Sequence, residues 1–320
     1  MTSFKLKIVP KGIFCYYLAN LALEGRKFWV RKEYNKSFLA HTGPLSQKEK
    51  QALQRFSKLI LKLENRIPSF SLLNFFFDRN GEDKLKKLLL KKEYEGLGSV
   101  FDLFRERFAR FWKHTLVKES KNIEKTLTVN LHTQQRFVQY SLKRFSLLYN
   151  HPSLPRSVNV FLVPLPAEVI GGGGKYMAAL GGIVLETSLE RAGKMRTIEI
   201  ILHETIHLWF EEGYFNNLLQ EFEEETLQKT KEMLFGPLGI PSMHFGIKEI
   251  LATALTIQST KRAEKTQPPY IQLLYSTSKT LQPIFRIYER RKKSVDKALL
   301  KTVIRAWQSF LKKKKVAILG

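Results

Sequence analysis

The segment from Thr197 to Glu212 sets the hardest condition on any fold of this chain. Ile198, Ile200, Ile201, Leu202, Ile206, Leu208, Trp209 and Phe210 are spread almost all round a helix, so the helix must be buried and not merely laid on a surface. Among them stand His203, Glu204 and His207. A polar group buried without a partner costs roughly 2–7 kcal/mol, so the fold must bring these side chains partners or a cation.

The spacing says which. Residues four apart on a helix share a face, with Cβ atoms about 5–6 Å apart. Two imidazoles so placed can converge on one Zn²⁺ at about 2.0–2.1 Å per bond. His203-Glu204-Thr205-Ile206-His207 matches the pattern H-E-x-x-H. Glu204, one step round from His203, would stand beside the metal as a general base for a zinc-bound water whose pKa the ion lowers to about 7.

A catalytic zinc needs a third protein ligand and an open position. The sequence has only four aspartates, Asp78, Asp83, Asp102 and Asp296, none of them near the motif, and His244 is the one histidine downstream of it. Glu249 is the chosen third ligand, because it sits in an otherwise small and apolar helical stretch, with Ala252 allowing close approach to the motif helix. Its bland alternative is a solvated glutamate beside Lys248. Glu211 is the rival, sharing the stripe Glu199, His203, His207, Glu211. Three ligands along one straight stripe would span about 12 Å at 1.5 Å per residue, too far for one ion. Glu199 and Glu211 are better placed to hold an imidazole through its other N–H.

With these residues the sequence resembles the zincin metallopeptidases, and among them the gluzincins. The resemblance covers roughly residues 157–260, and its specific part is H-E-x-x-H plus a glutamate 42 positions after His207. It implies an α+β, mainly helical fold whose zincin-like catalytic core combines a small sheet with the motif helix. It implies one Zn²⁺ held by His203, His207 and Glu249, with Glu204 as general base, and a peptide or protein as substrate. It further implies an edge strand that pairs with an extended substrate, a place filled here by Gly181 to Thr187. Thr253 stands where several gluzincins have an aspartate that orients a histidine, and the metzincin extension is absent, since Leu208-Trp209-Phe210-Glu211 follows His207. His244, Tyr270 and Tyr275 are the candidate donors to a developing oxyanion. Peptide deformylases share the motif but use an upstream cysteine, and Cys15 is remote from it.

The rest of the chain is strongly basic. Its net charge is +25, yet residues 151–250, which carry the motif, hold 8 basic and 13 acidic residues. The basic flanks would attract nucleic acid, anionic lipid or acidic proteins, which defines the competing reading: a polyanion-binding protein with a structural or vestigial zinc site. Arg105, Arg107, Arg110 and Lys113 alternate with Phe104, Phe108, Phe111 and Trp112, a pattern open to single-strand stacking but more simply a helix with aromatics inward and charges outward. Ser294 to Lys315 reads as an amphipathic basic helix, able to lie on anionic lipid or dock on the protein itself.

One cysteine excludes a disulfide framework, and no apolar run is long enough to span a bilayer. Lys5, Lys7 and Lys11 mimic the start of a signal peptide, but Ala22-Leu23-Glu24 is a poor cleavage site, so a cytoplasmic protein is expected over an exported one.

A mainly helical basic region is expected over residues 1–150 and the catalytic domain over 151–320. The first forty residues could be strand or irregular. Ser46 to Glu49 is a capping box before a helix that ends by Pro68, and helices follow from Ser99 to Val117 and from Asn122 to Tyr149. Ser157 to Val163 reads as a strand. The four glycines at 171–174 fail both the phosphate-loop and the dinucleotide patterns, with Val169, Tyr176 and Met177 at required positions, and are read as a flexible lip.

Overall fold

The computed structural model describes residues 2–24, 32–67, 71–150, 156–166, 173–177, 180–210, 214–225, 243–256 and 269–318. Its elements are, in chain order, β1 (Ser3–Lys7), α1 (Pro10–Leu23), α2 (Lys32–Thr42), α3 (Gln47–Arg66), α4 (Leu73–Phe76), α5 (Gly81–Leu88) and α6 (Lys91–Phe111). A π-helical turn at Trp112–Leu116 leads into α7 (Val117–Thr133) and α8 (Gln135–Leu148). There follow β2 (Ser157–Pro164), β3 (Gly173–Met177), β4 (Gly182–Thr187), α9 (Leu189–Ala192), α10 (Met195–Phe210) and α11 (Tyr214–Glu224). The last helices are α12 (Met243–Thr256), α13 (Pro269–Arg290) and α14 (Lys297–Ile318). The fold is mainly helical with one four-stranded sheet, and no described helix is long and apolar enough to cross a membrane.

The chain forms two compact units. One comprises residues 4–129 and 159–194, the other 1–3, 130–158 and 195–320. Residues 130–150, grouped by sequence with the N-terminal region, thus belong with the motif helix. The strand residues from Asn159 onward belong with the N-terminal helices instead.

In the unit of residues 4–129 and 159–194, the undecided N-terminal stretch is strand β1 followed by a helix buried on nearly every side. Ile13, Cys15 and Leu18 of α1 are fully buried, and Tyr17 stacks edge-on against Phe111. Pro10 at the first helical position was the available start signal. The Ser46 capping box is present, Ser46 Oγ accepting from the Glu49 N–H at 3.2 Å and Glu49 from the Ser46 N–H at 2.7 Å. Glu49 also receives Arg107 at 3.0 Å, which turns that arginine inward. Its neighbours Arg105, Arg110 and Lys113 stay exposed while Phe104, Phe108 and Phe111 enter the core. That is the simpler of the two readings of this helix. α6 starts eight residues before the expected Ser99, running through Gly96 and Gly98.

The sheet order is β1-β2-β4-β3. β2 and β4 are parallel, from Asn159 opposite Gly182 to Pro164 opposite Thr187. A side chain at Gly182 would place its Cβ 2.6 Å from the Asn159 carbonyl oxygen, so only glycine lets the two strands approach. β3 then folds back antiparallel on the other side of β4, with Gly173 opposite Glu186 and Met177 opposite Gly182. Two expectations are corrected here. Gly181 to Thr187 is an interior strand and offers no free edge to a substrate, because the glycine-led strand β3 occupies that edge. Gly173 and Gly174 are likewise strand and not lip; Gly171 and Gly172 lie outside the described residues. Glu186 of β4 is buried and accepts hydrogen bonds from the hydroxyls of Tyr16 and, at 3.3 Å, Tyr34, fastening the sheet to α1 and α2.

In the other unit, α8 and α10–α14 pack around an aromatic cluster that includes Phe145, Tyr149, Trp209, Phe210 and Phe215. Trp307 of α14 is fully buried, so this helix docks on its own unit along its apolar face. The side chains of Lys312 to Lys315 lie outside the described residues. The acidic run on α11 is largely exposed, with Lys297 paired to Glu221 and Glu225.

Asp296 caps α14, accepting from the Leu299 N–H at 2.9 Å and from the Tyr288 hydroxyl at 2.9 Å. Burial, then the Asp296 carboxylate, pushes the Tyr288 hydroxyl up to about 12. A phenol raised in the folded state contributes stability below its unfolded value of about 10 and loses it as pH rises through the folded one. Asp296→Ala is expected to cost about 1 kcal/mol in chemical denaturation. It should also lower the titration of Tyr288, leaving in place the part that burial contributes.

Candidate metal centre

α10 is apolar almost all round and is buried accordingly: Ile198, Ile201, Leu202, Ile206 and Phe210 are all fully inaccessible. Each such side chain contributes roughly 1.5–3 kcal/mol relative to exposure, which fixes the helix in depth and rotation. That rotation sets His203 and His207 one above the other, with ring centroids 4.6 Å apart. α12 packs against α10. Ala252 and Leu251 are fully buried on it, and Glu249 is presented to the histidines.

Side chains from two helices converge on one point, His203 and His207 of α10 and Glu249 of α12. His203 Nε2 lies 3.0 Å from His207 Nε2 and 3.2 Å from Glu249 Oε2, and His207 Nε2 lies 3.0 Å from Glu249 Oε1. Donors around one tetrahedral Zn²⁺ at about 2.0–2.1 Å stand about 3.3 Å from one another, and these nearest approaches, made to the two Glu249 oxygens in turn, are close to that spacing. The donor set, two imidazole nitrogens and a carboxylate oxygen, is also that of an open catalytic zinc site. Two neutral imidazoles facing each other through nitrogen, with a carboxylate between them, present lone pairs to lone pairs unless a proton or a metal ion sits among them.

No family model, curated protein or solved structure matches the chain. The site therefore has to be read from its own chemistry.

Its electrostatics follow from crowding. Burial works against the charge on Glu249, but His203 and then His207 outweigh it and hold the carboxyl well below the usual carboxylate range. Burial likewise opposes a charged His203, yet Glu249, assisted by Glu204, holds that imidazole above the usual histidine range against the opposing charge of Arg196. The site is closed behind and open in front. The His207 side chain is 4 % exposed, against 19 % for His203 and 21 % for Glu249. Glu204 is half-buried and close enough to His203 to act on it through space.

The structure thus brings His203, His207 and Glu249 together and sets Glu204 beside them. Glu249 is not the solvated glutamate of the bland alternative. Its neighbour Lys248 is buried and points to Asn216 Oδ1 at 3.4 Å. Glu199, two turns before His207, is buried and meets Arg196 at 3.3 Å. Glu211 lies outside the described residues, as do the side chains of His244 on α12 and Tyr270 on α13. Tyr275 is buried, with the Arg196 guanidinium 5.5 Å from its ring centre, and burial pushes its hydroxyl up. Arg196 is the neighbour that sequence reasoning missed. Its spacing of seven from His203, two turns along the same face, was the available signal.

Proposed function

We propose that this chain is a zinc-dependent peptidase of the zincin type, gluzincin-like in its ligands, acting on a peptide or protein. The observation that carries the reading is the convergence of His203, His207 and Glu249 within 3.0–3.2 Å, with a fourth polar side chain, Glu204, next to the first ligand. A structural zinc site is closed by four protein ligands, whereas three ligands and an adjacent carboxylate leave a place for water or substrate.

His203, His207 and Glu249 would hold the ion. Zinc supplies Lewis-acid polarisation of the scissile carbonyl and makes water nucleophilic near neutral pH. Glu204 takes a proton from the attacking water on a carboxylate oxygen and delivers it to the leaving amine nitrogen. His207, deep in the helix packing, fixes the rear of the site. His203 and Glu249 face the side from which substrate enters. Tyr275, beside Arg196, is the described candidate for donating to the oxyanion. The basic flanks would draw an acidic partner toward the site over about a Debye length, roughly 8 Å at physiological salt.

The reading is tested by incubating purified protein with a mixed library of quenched fluorescent peptides, with and without a zinc chelator. Cleavage that the chelator stops and added Zn²⁺ restores is expected. Cleavage indifferent to chelation would contradict the role given to the metal.

A further inference from the structure

In the unit of residues 1–3, 130–158 and 195–320, the C-terminal ends of α8 and α13 are knitted into one face. Arg144 of α8 pairs with Glu289 of α13. The Val295 N–H donates to the Leu148 carbonyl at 2.6 Å, and the Ser294 hydroxyl to the Leu147 carbonyl at 3.4 Å. On the outer side of α8, Arg136, Tyr140, Lys143 and Leu147 follow one another at helical spacing and form a single exposed stripe. On α13, Arg286 and Arg290 are exposed one turn apart beside the Arg144–Glu289 seam, with Ile287 exposed beyond them. The chain then turns at Lys292 in the left-handed region, with φ 49°, and both Arg291 and Lys292 are exposed.

Charge on this face is one-sided. Glu289 is the only acidic residue of α8 and α13, and Arg144 takes it. Asp296, past the turn, is taken by Lys293 and by the cap of α14. Arg136, Lys143, Arg286, Arg290, Arg291 and Lys292 pair with no carboxylate among the described residues. Like charges gathered this way repel one another and favour a partner surface of opposite sign.

The side chains between the charges select that surface. Tyr140, Leu147 and Ile287 are large apolar side chains standing in solvent. The Arg144 guanidinium occupies one side of the Tyr140 ring, 5.4 Å from its centre. Tyr288, the other ring nearby, is not exposed and carries the Lys293 ammonium 5.2 Å from its centre. Successive bases of a single strand would therefore find no run of open rings to stack on. A lipid headgroup layer suits all of these groups: tyrosine is at home in it, aliphatic tips reach toward the acyl chains, and basic heads lie level with the lipid charges.

We propose that the face formed by α8, α13 and the turn at 290–293 rests on an anionic lipid bilayer, with Tyr140, Leu147 and Ile287 entering the headgroup layer and the six cations meeting anionic headgroups. The site is separate from the metal centre and stands or falls without any peptidase activity.

The test uses the full chain, sedimented with vesicles of one part phosphatidylserine to two parts phosphatidylcholine, or with vesicles of phosphatidylcholine alone. Binding to the first and not to the second is expected, weakened by added salt. Each basic side chain near such a surface is worth about fivefold in partitioning, so Lys143→Gln, Arg286→Gln and Arg290→Gln combined should lose about a hundredfold. All three are exposed helix positions where glutamine is a comparable helix former, so the fold should hold, as circular dichroism will report. The same loss of charge in the other unit, Lys50→Gln with Arg55→Gln and Lys58→Gln, should change binding by less than about fivefold. Leu147→Gln with Ile287→Gln should cost at least about tenfold on vesicles and leave binding of a single-stranded polyuridylate oligonucleotide unchanged. Equal binding to both kinds of vesicle, binding to neither, or equal losses in the two triple variants would overturn the proposal. So would undiminished vesicle binding after the Leu147 and Ile287 substitutions. Oligonucleotide binding without vesicle binding would also overturn it and assign the face to nucleic acid.

Discussion

Glu204→Gln is expected to abolish the proposed peptide hydrolysis while leaving fold and zinc content unchanged. The amide keeps the shape and the hydrogen-bonding reach of the carboxylate but cannot accept the proton of the attacking water. General-base assistance contributes about 10²–10⁴-fold, and in the proposed mechanism the same carboxyl also protonates the leaving amine, so the loss should reach the upper part of that range. Glu204 is half-buried at the open side of the site and is not one of the three converging side chains. Removing its charge therefore leaves that convergence intact. Turnover is followed on a peptide the wild type cleaves, with circular dichroism and metal analysis on the same sample. Unimpaired turnover would remove Glu204 from the mechanism. Loss of zinc together with activity would make it a ligand.

Glu249→Ala is expected to give the complementary result, in which metal goes first and activity with it. Its carboxylate faces both imidazoles, at 3.2 Å and 3.0 Å, and it is the only one of the three ligands contributed by α12. Outer-shell substitutions already cost about 10–100-fold in metal affinity, and deleting a direct ligand should exceed that. Competition against a chromophoric chelator reads the change. Glu249→Gln separates charge from contact, since an amide oxygen can still approach the ion but no longer neutralises it. Zinc affinity unchanged in Glu249→Ala would send the third ligand elsewhere, to Glu211 or His244. The two variants together dissociate the roles: one keeps metal without turnover, the other loses the metal.

The side-chain cluster was legible because its constraints are local. H-E-x-x-H in an apolar helix sets two imidazoles on one face by helical geometry alone. Glu249 was reachable by asking which carboxylate stands in an otherwise small and apolar helical stretch. The Ser46 capping box and the strand at Ser157 were readable for the same reason, a short pattern with one satisfactory geometry.

What escaped depends on pairing across the chain. α1 is buried on nearly all sides and so lacks the amphipathic period that marks a helix. Whether Gly182 to Thr187 was an edge depended on where Gly173 to Met177 would turn, and a glycine run in a sequence does not say. The grouping of residues 159–194 with the N-terminal helices arises from long-range contacts, which leave no mark on composition. Arg196 and Tyr275 are 79 positions apart and meet only in the folded unit.

The proposed centre is tested most directly by zinc per chain in the purified protein, by inductively coupled plasma mass spectrometry after dialysis, with His207→Ala measured alongside. One zinc per chain is expected in the wild type, and its loss in the variant. A wild type that holds no zinc even after reconstitution, or a variant that keeps it, would contradict the claim that these three side chains form a metal centre.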